Sequence, residues 1–159
     1  MTHPTVSEPQ ALPDRQALLD WQALRDRANG DGEFRLHARF WNARLRIVCD
    51  TVATGIEIRD GAVATIDAWN PAWFGADIVI RADAGEWGKL LAPLPQPFYH
   101  DLWAANAHHG FSLSGTTQHL CAYYPALRRL VELMRDVRGN TSAEPDTALT
   151  SGAHVRGGG

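Results

Sequence analysis

Asp77-Ile78-Val79-Ile80-Arg81, then Asp83-Ala84-Gly85-Glu86-Trp87-Gly88-Lys89-Leu90-Leu91, then Pro93, Pro95 and Pro97: the run these residues open, continuing to Arg135, decides the fold. It predicts strand, helix, proline-rich bend, helix, strand, helix. The five apolar-rich residues from Asp77 make a short strand. Asp83 and Glu86 stand three apart, the capping-box spacing with Asp in place of Ser or Thr, and Trp87, Leu90 and Leu91 are the buried stripe of the helix that follows. The prolines stop that helix and hold the chain extended. Phe98, Leu102 and Ala105, flanked by Tyr99 and Trp103, predict a second helix ended by Gly110. Phe111 and Leu113 alternate with Ser112 and Ser114 in a short strand from Gly110 to Gly115. His119, Leu120, Tyr123, Tyr124, Leu127, Leu130, Val131, Met134 and Val137 then mark a long helix. Pro125 should kink or restart it, and Gly139 should end it.

Upstream, residues 1–13 hold three prolines and few apolar side chains, which predicts a disordered tail. Asp14 is placed to cap a helix in which Leu18, Trp21, Leu24, Arg25 and Ala28 recur. Glu33 to Trp41 alternates, with Phe34, Leu36, Ala38 and Phe40 on one face, and predicts a half-buried strand. Arg44 to Asp50 alternates again and would complete a hairpin with it. A third strand begins at Gly55, and Val63 to Ala68 is a fourth, joined through the turn signal Asp60-Gly61. Trp69-Asn70-Pro71-Ala72-Trp73-Phe74-Gly75 is an aromatic loop, and the Asp77 strand is fifth. The order is helix, mostly antiparallel sheet, then helices, an α+β arrangement with helices on one sheet face. One domain is predicted over 14–138, with a second disordered tail over 139–159.

Composition excludes several classes of function. The chain has 159 residues, a net charge of −3 and 21% charged residues. No block of Lys or Arg is available to neutralise nucleic-acid phosphates. The apolar runs fall far short of the roughly 20 residues a membrane span needs. The N-terminus lacks a signal-peptide pattern, so the cytoplasm is the expected compartment. Cys49 and Cys121 sit in apolar-periodic segments, where a free cysteine behaves as a small hydrophobe.

Three groups of residues could carry chemistry. His100 and Asp101, with His108 and His109, could serve as acid and base, or bind a metal if His100 and His108 share a helix face. Against a metal, helical ligand pairs use i, i+4 spacing with a third ligand nearby, and no metal or cofactor is expected. Arg35, Arg39, Arg44 and Arg46 could grip a carboxylate or phosphate, or form the solvated outer face of a hairpin. The aromatic set Trp69, Trp73, Phe74, Trp87, Phe98, Tyr99, Trp103, Phe111, Tyr123 and Tyr124 is either core or the wall of an apolar pocket. No phosphate loop, serine nucleophile elbow or zinc-type cysteine cluster is present in the sequence.

From Trp21 to Val137 the chain resembles the sterol carrier protein type 2-like domain family, and within it the bacterial single-domain members that can accompany hydrolases or oxygenases. The matching pieces are Ala76-Asp77-Ile78-Val79-Ile80, the Asp83/Trp87/Leu90-Leu91 helix, the proline bend, Gly110-Phe111-Ser112-Leu113-Ser114-Gly115 and the helix from Leu120 to Leu133. Thr116 departs from the pattern, since many relatives carry an acidic residue there. The resemblance implies a five-stranded sheet covered by helices with an apolar tunnel between them. It implies non-catalytic binding of a sterol, a fatty acyl group or a similar apolar molecule. The ligand-binding residues it implies are Trp87, Leu91, Tyr99, Leu102, Trp103, Phe111, Leu120, Tyr124 and Leu127. Two rival expectations stand beside it. One is an accessory subunit docking on a larger hydrolase or oxygenase through Trp69 to Phe74. The other is a small enzyme acting on an apolar substrate with His100 and Asp101.

Overall fold

The structure, a computed structural model, describes residues 18–73 and 75–141. The expected tail over residues 1–13, the Asp14 cap, Phe74 and everything after Thr141 lie outside them. The elements are α1 (Trp21–Gly30), α2 (Gly32–Ala38), β1 (Ala43–Cys49), β2 (Val52–Arg59), β3 (Ala62–Ala68), β4 (Ile78–Ala82), α3 (Ala84–Leu90), α4 (Leu102–His108), β5 (Ser112–Gly115) and α5 (Thr117–Thr141). The five strands form one sheet in the order β3-β2-β1-β4-β5. Only β1 and β4 pair in parallel; the other neighbours are antiparallel. The fold is α+β with a mostly antiparallel five-stranded sheet, as expected.

One predicted strand is a helix. The Glu33–Trp41 segment contributes α2, and the first hairpin is β1–β2 instead. The alternation misled because Phe34 and Ala38 are four apart, a spacing that suits both period two and one helical turn. A strand would also have buried Leu36 and Phe40, yet these are 61% and 77% exposed while Phe34 and Ala38 are fully buried. What tips the balance is Asp31, whose side chain accepts the Phe34 N–H at 2.7 Å and caps the helix. The preceding helix is capped in the same way by Asp20, which accepts from the Ala23 N–H at 2.9 Å.

The β2–β3 hairpin turns at Asp60-Gly61, where φ is +49° and +72°, the positive pair a tight two-residue hairpin turn requires. A Cβ at Gly61 would also lie 2.8 Å from the Ala38 carbonyl oxygen, so this glycine is needed twice over. Further along, the pairing jumps from Glu57↔Thr65 to Ile58↔Val63. This bulge lets Val63 and Ile66, three apart in sequence, both meet the core that Ile56 and Ile58 face. Asn29 ties α1 to this edge: its side-chain amide donates to the Val63 carbonyl at 2.9 Å and its oxygen accepts the Val63 N–H at 2.8 Å.

The inward faces of the sheet, Leu45, Ile47, Ile56, Ile58, Ile78 and Ile80, meet α5 residues such as Leu127, Leu130 and Met134 in one core. Each large side chain so buried contributes about 1.5–3 kcal/mol. α5 does not restart at Pro125; it runs unbroken past it and past Gly139, where an end was expected, to Thr141. Pro125 and Cys121 are both exposed, so water can take the place of the N–H that proline denies the Cys121 carbonyl.

Candidate functional site

The expected apolar wall comes together in space. Trp87, Leu91, Tyr99, Leu102, Phe111, Leu120 and Leu127 are all buried members of the single core, and Tyr124 packs against it. Trp103 stands apart, 44% exposed, its ring tilted against Tyr124 at 5.5 Å. Trp87 is the hub. Its indole N–H donates to the Val48 carbonyl at 2.9 Å, and its ring meets Phe111 edge-on at 5.1 Å. Seven of these side chains are buried in one core, with Tyr124 packed against it. A groove of about 920 Å³ lies elsewhere, between α1 and the end of α5, among Asp20, Asp26, Arg27, Asp31 and Asn140. Tyr124 lines a smaller one of about 260 Å³ with Glu33, His37, Pro125 and Arg128.

A strap from Ala92 to Asp101 crosses the edge of this core. The predicted helix does not include Phe98, Tyr99 or His100: α4 begins at Leu102, where Asp101 caps it. The prolines stop α3 but do not hold the chain extended: it bends over 92–94 and turns over 96–99, where the Gln96 carbonyl accepts the Tyr99 N–H at 3.0 Å. Within that turn Phe98 takes a left-handed φ of +67°, costly for a bulky residue. Specific contacts hold it there. Phe98 stacks on His108 at 4.1 Å and Tyr99 on His109 at 3.8 Å. The Tyr99 hydroxyl donates to Glu86 Oε2 at 2.8 Å. Arg135, reaching across from α5, donates from Nε to the Leu90 carbonyl at 2.7 Å and from Nη2 to the Tyr99 and His100 carbonyls at 3.0 and 3.2 Å. One guanidinium thus caps the end of α3 and fastens the strap, and its partial burial lowers its pKa.

Glu86 does not complete the expected capping box. Asp83 accepts the Glu86 N–H at 2.8 Å, but the Glu86 carboxylate turns instead to Lys89 at 2.8 Å, the Tyr99 hydroxyl and the Gly110 N–H at 3.3 Å. The Lys89 ammonium beside it holds its pKa below the usual glutamate range. Burial, followed by the hydrogen bond to Glu86, pushes the Tyr99 phenol up.

The His100/Asp101 pairing takes a different form. Asp101 Oδ1 accepts from the Trp103 and Ala104 N–H groups at 2.8 and 3.2 Å and from the Tyr124 hydroxyl at 2.8 Å. That makes it a helix cap. His100 is exposed on the strap and shares no helix with His108. Among the described residues, no group of three or more His, Cys, Asp or Glu could hold a metal ion.

The arginine row is split. Arg35 and Arg39 belong to α2 and its C-cap, whereas Arg44 and Arg46 point from β1 to the sheet's outer face. There they lie over Trp73 and Trp69 at 5.1 and 5.2 Å. The two indoles meet edge-on at 5.1 Å. The reason is topological. The chain must cross from edge strand β3 past β2 and β1 to reach β4, and Trp69–Trp73 begins that crossover. It lies so close to β2 that a Cβ on Gly55 would come within 2.9 Å of the Trp73 ring. The tryptophans expected to form an exposed docking loop are spent covering the sheet.

One joint was invisible in the sequence. The Trp41 indole donates to His119 Nδ1 at 3.0 Å, which leaves the ring proton on Nε2, 3.9 Å from Asp77 Oδ1. Tyr123 stacks on Trp41 at 5.1 Å and donates to the Phe40 carbonyl at 3.2 Å. These contacts span about 80 residues of chain, and no short-range pattern encodes them.

The chain is similar to a crystal structure of sterol carrier protein 2, with 25% sequence identity and a TM-score of 0.59 over 73% of this chain and 93% of that one. A weaker likeness is to a UbiJ-SCP2 ubiquinone synthesis protein, with 16% identity and a TM-score of 0.48 over 72% of this chain and 87% of that one. No protein-family model and no curated protein sequence matches the chain. The chain has the fold of a sterol carrier protein 2-like domain, the likeness extending over 93% of the solved protein's chain. Among the described residues, no helix is long and apolar enough to cross a membrane.

Proposed function

We propose that this domain is a non-catalytic carrier or binding protein for a lipid-like or sterol-like apolar molecule. The supporting observation is the likeness to sterol carrier protein 2 across 93% of that chain, joined to an apolar interior closed by a strap and not by a continuous helix. In this reading Trp87, Leu91, Tyr99, Leu102, Phe111, Leu120, Tyr124 and Leu127 form the wall, and Trp103 stands at its rim. Because those side chains pack in one core, a ligand enters by displacing the strap and repacking the wall around itself. The energetics permit this. Burying about 300 Å² of apolar ligand surface provides roughly 7 kcal/mol before association costs, enough for micromolar affinity once a few kcal/mol of rearrangement are met.

The test is native mass spectrometry of the protein purified from its own host, followed by solvent extraction. A stoichiometric lipid-like adduct is expected. A fluorescent fatty acid or sterol should bind the emptied protein, and Trp103→Ala should weaken that binding with the fold intact, since the ring is half exposed. A protein that is empty as purified and takes up neither probe refutes the reading.

A further inference from the structure

We propose that the strap around Leu94 and Phe98, with Trp103 on the helix it leads into, docks this domain on the surface of a lipid bilayer. The first observation is exposure. Leu94 is 88%, Phe98 46% and Trp103 44% exposed, a concentration of large apolar side chains within ten residues. The second is conformational. Phe98 is held at a φ of +67°, where a phenylalanine is strained, and the result of that strain is a ring left half in water against His108.

The third observation concerns the backbone. Pro93, Pro95 and Pro97 have no N–H, so alternate positions along the exposed stretch carry no donor that would have to leave water. A segment entering the headgroup region suffers chiefly from desolvating such groups. The fourth is charge. From Trp87 through His100 there is no carboxylate, and the one lysine there, Lys89, is paired with Glu86 at 2.8 Å. The carboxylates at either end are engaged internally: Glu86 by Lys89, Tyr99 and Gly110, Asp101 by Trp103, Ala104 and Tyr124. A phosphate-bearing lipid surface therefore meets no unpaired carboxylate on the strap. A second copy of the chain fits less well, since three partly exposed side chains fall short of the roughly 800 Å² per partner of a stable protein interface.

This inference goes beyond the carrier reading and does not require it, because docking and internal ligand binding are measured separately. The full chain is floated with phosphatidylcholine vesicles, with and without phosphatidylglycerol, and its native mass spectrum is recorded in parallel. Wild type should float with both. Leu94→Asp should lower partitioning roughly tenfold, the equivalent of withdrawing one leucine from an apolar phase, while any copurified adduct and the circular dichroism stay as in wild type. Phe98→Ser should act in the same direction. Leu36→Asp, on the exposed side of α2, should float as wild type does. The proposal is overturned if wild type stays unbound, if Leu94→Asp floats like wild type, or if Leu36→Asp loses as much. It is overturned equally if Leu94→Asp dissolves a concentration-dependent dimer without changing vesicle binding, which would assign the patch to a second copy.

Discussion

Replacing Arg129 by leucine should lower this domain's stability at neutral pH and lessen what it loses further between about pH 4 and pH 2. Asp31 occupies the single-residue junction between α1 and α2. Its N–H closes α1 on the Ala28 carbonyl at 3.2 Å, and its carboxylate caps α2. Arg129 of α5 grips that carboxylate with both arms, Nε to Oδ1 at 3.2 Å and Nη2 to Oδ2 at 2.8 Å. The hydrogen-bonded guanidinium, helped by the Phe34 N–H, holds the Asp31 carboxyl down from 3.8 to about 2. A shift of that size corresponds to roughly 2.4 kcal/mol at neutral pH. The pair retains some solvent contact, with side-chain exposures of 26% and 17%, so screening reduces this to about 1–2 kcal/mol. The folded pKa is depressed, so the contribution is complete above about pH 4 and disappears as pH falls toward about 2. Arg129→Leu keeps an apolar stem but removes the fork, and it leaves Glu33 and Glu132 without their shared cation. Urea unfolding should show a loss of about 2 kcal/mol at neutral pH. Between about pH 4 and pH 2 the variant should lose less further stability than wild type, because only the Phe34 cap still favours the charged carboxylate. If the variant's stability falls as steeply as wild type's over that interval, the fork is not what depresses Asp31, and the reasoning fails.

Other perturbations probe the strap and the crossover. Arg135→Met keeps the aliphatic stem but strips the Leu90, Tyr99 and His100 carbonyls of their donor. It should cost about 2 kcal/mol and speed hydrogen exchange at the Tyr99 amide, whereas unchanged exchange would show that the ring stacking and the Tyr99–Glu86 hydrogen bond hold the strap without Arg135. Gly55→Val should lift Trp73 from the sheet at a cost of about 1–3 kcal/mol. Tryptophan emission should shift to the red, and an unshifted spectrum with full stability would mean that the crossover is not seated on β2.

Much of the architecture was legible because it rests on local chemistry. Asp60-Gly61 can adopt the two positive φ values of a tight hairpin turn, Asp83 can cap, and three prolines cannot continue a helix. The second half, from Asp77 to the end of α5, followed the sequence order closely. The failures share one cause: a pattern compatible with two structures. Phe34-Leu36-Ala38-Phe40 satisfies a strand's alternation, while Phe34 and Ala38 alone satisfy a helix turn. Phe98 and Tyr99 have helical spacing to Leu102 but follow Pro97 and lie before the Asp101 cap, so the helix starts later. Buried aromatic content was also legible, but not its division between core, rim and outer face. Trp87, Trp103 and Trp73 look alike in sequence, and one is a core hub, one half-exposed and one a cover over β2.

What the sequence determined by itself is the set of short-range commitments: where helices are capped, where hairpins turn, and which residues are apolar enough to need burial. These depend on a few neighbouring backbone groups and are settled before the chain folds up. What only the tertiary structure decided is which of those residues meet. The Arg129–Asp31 fork, the Arg135 clamp on the strap and the Trp41–His119 bond each join groups 35 to 98 residues apart. Such contacts form when the sheet order β3-β2-β1-β4-β5 brings distant segments together, and a linear pattern carries no record of that order. The same crossover that seats β4 beside β1 lays Trp69 and Trp73 over the sheet, while the proline strap leaves Leu94, Phe98 and Trp103 facing outward.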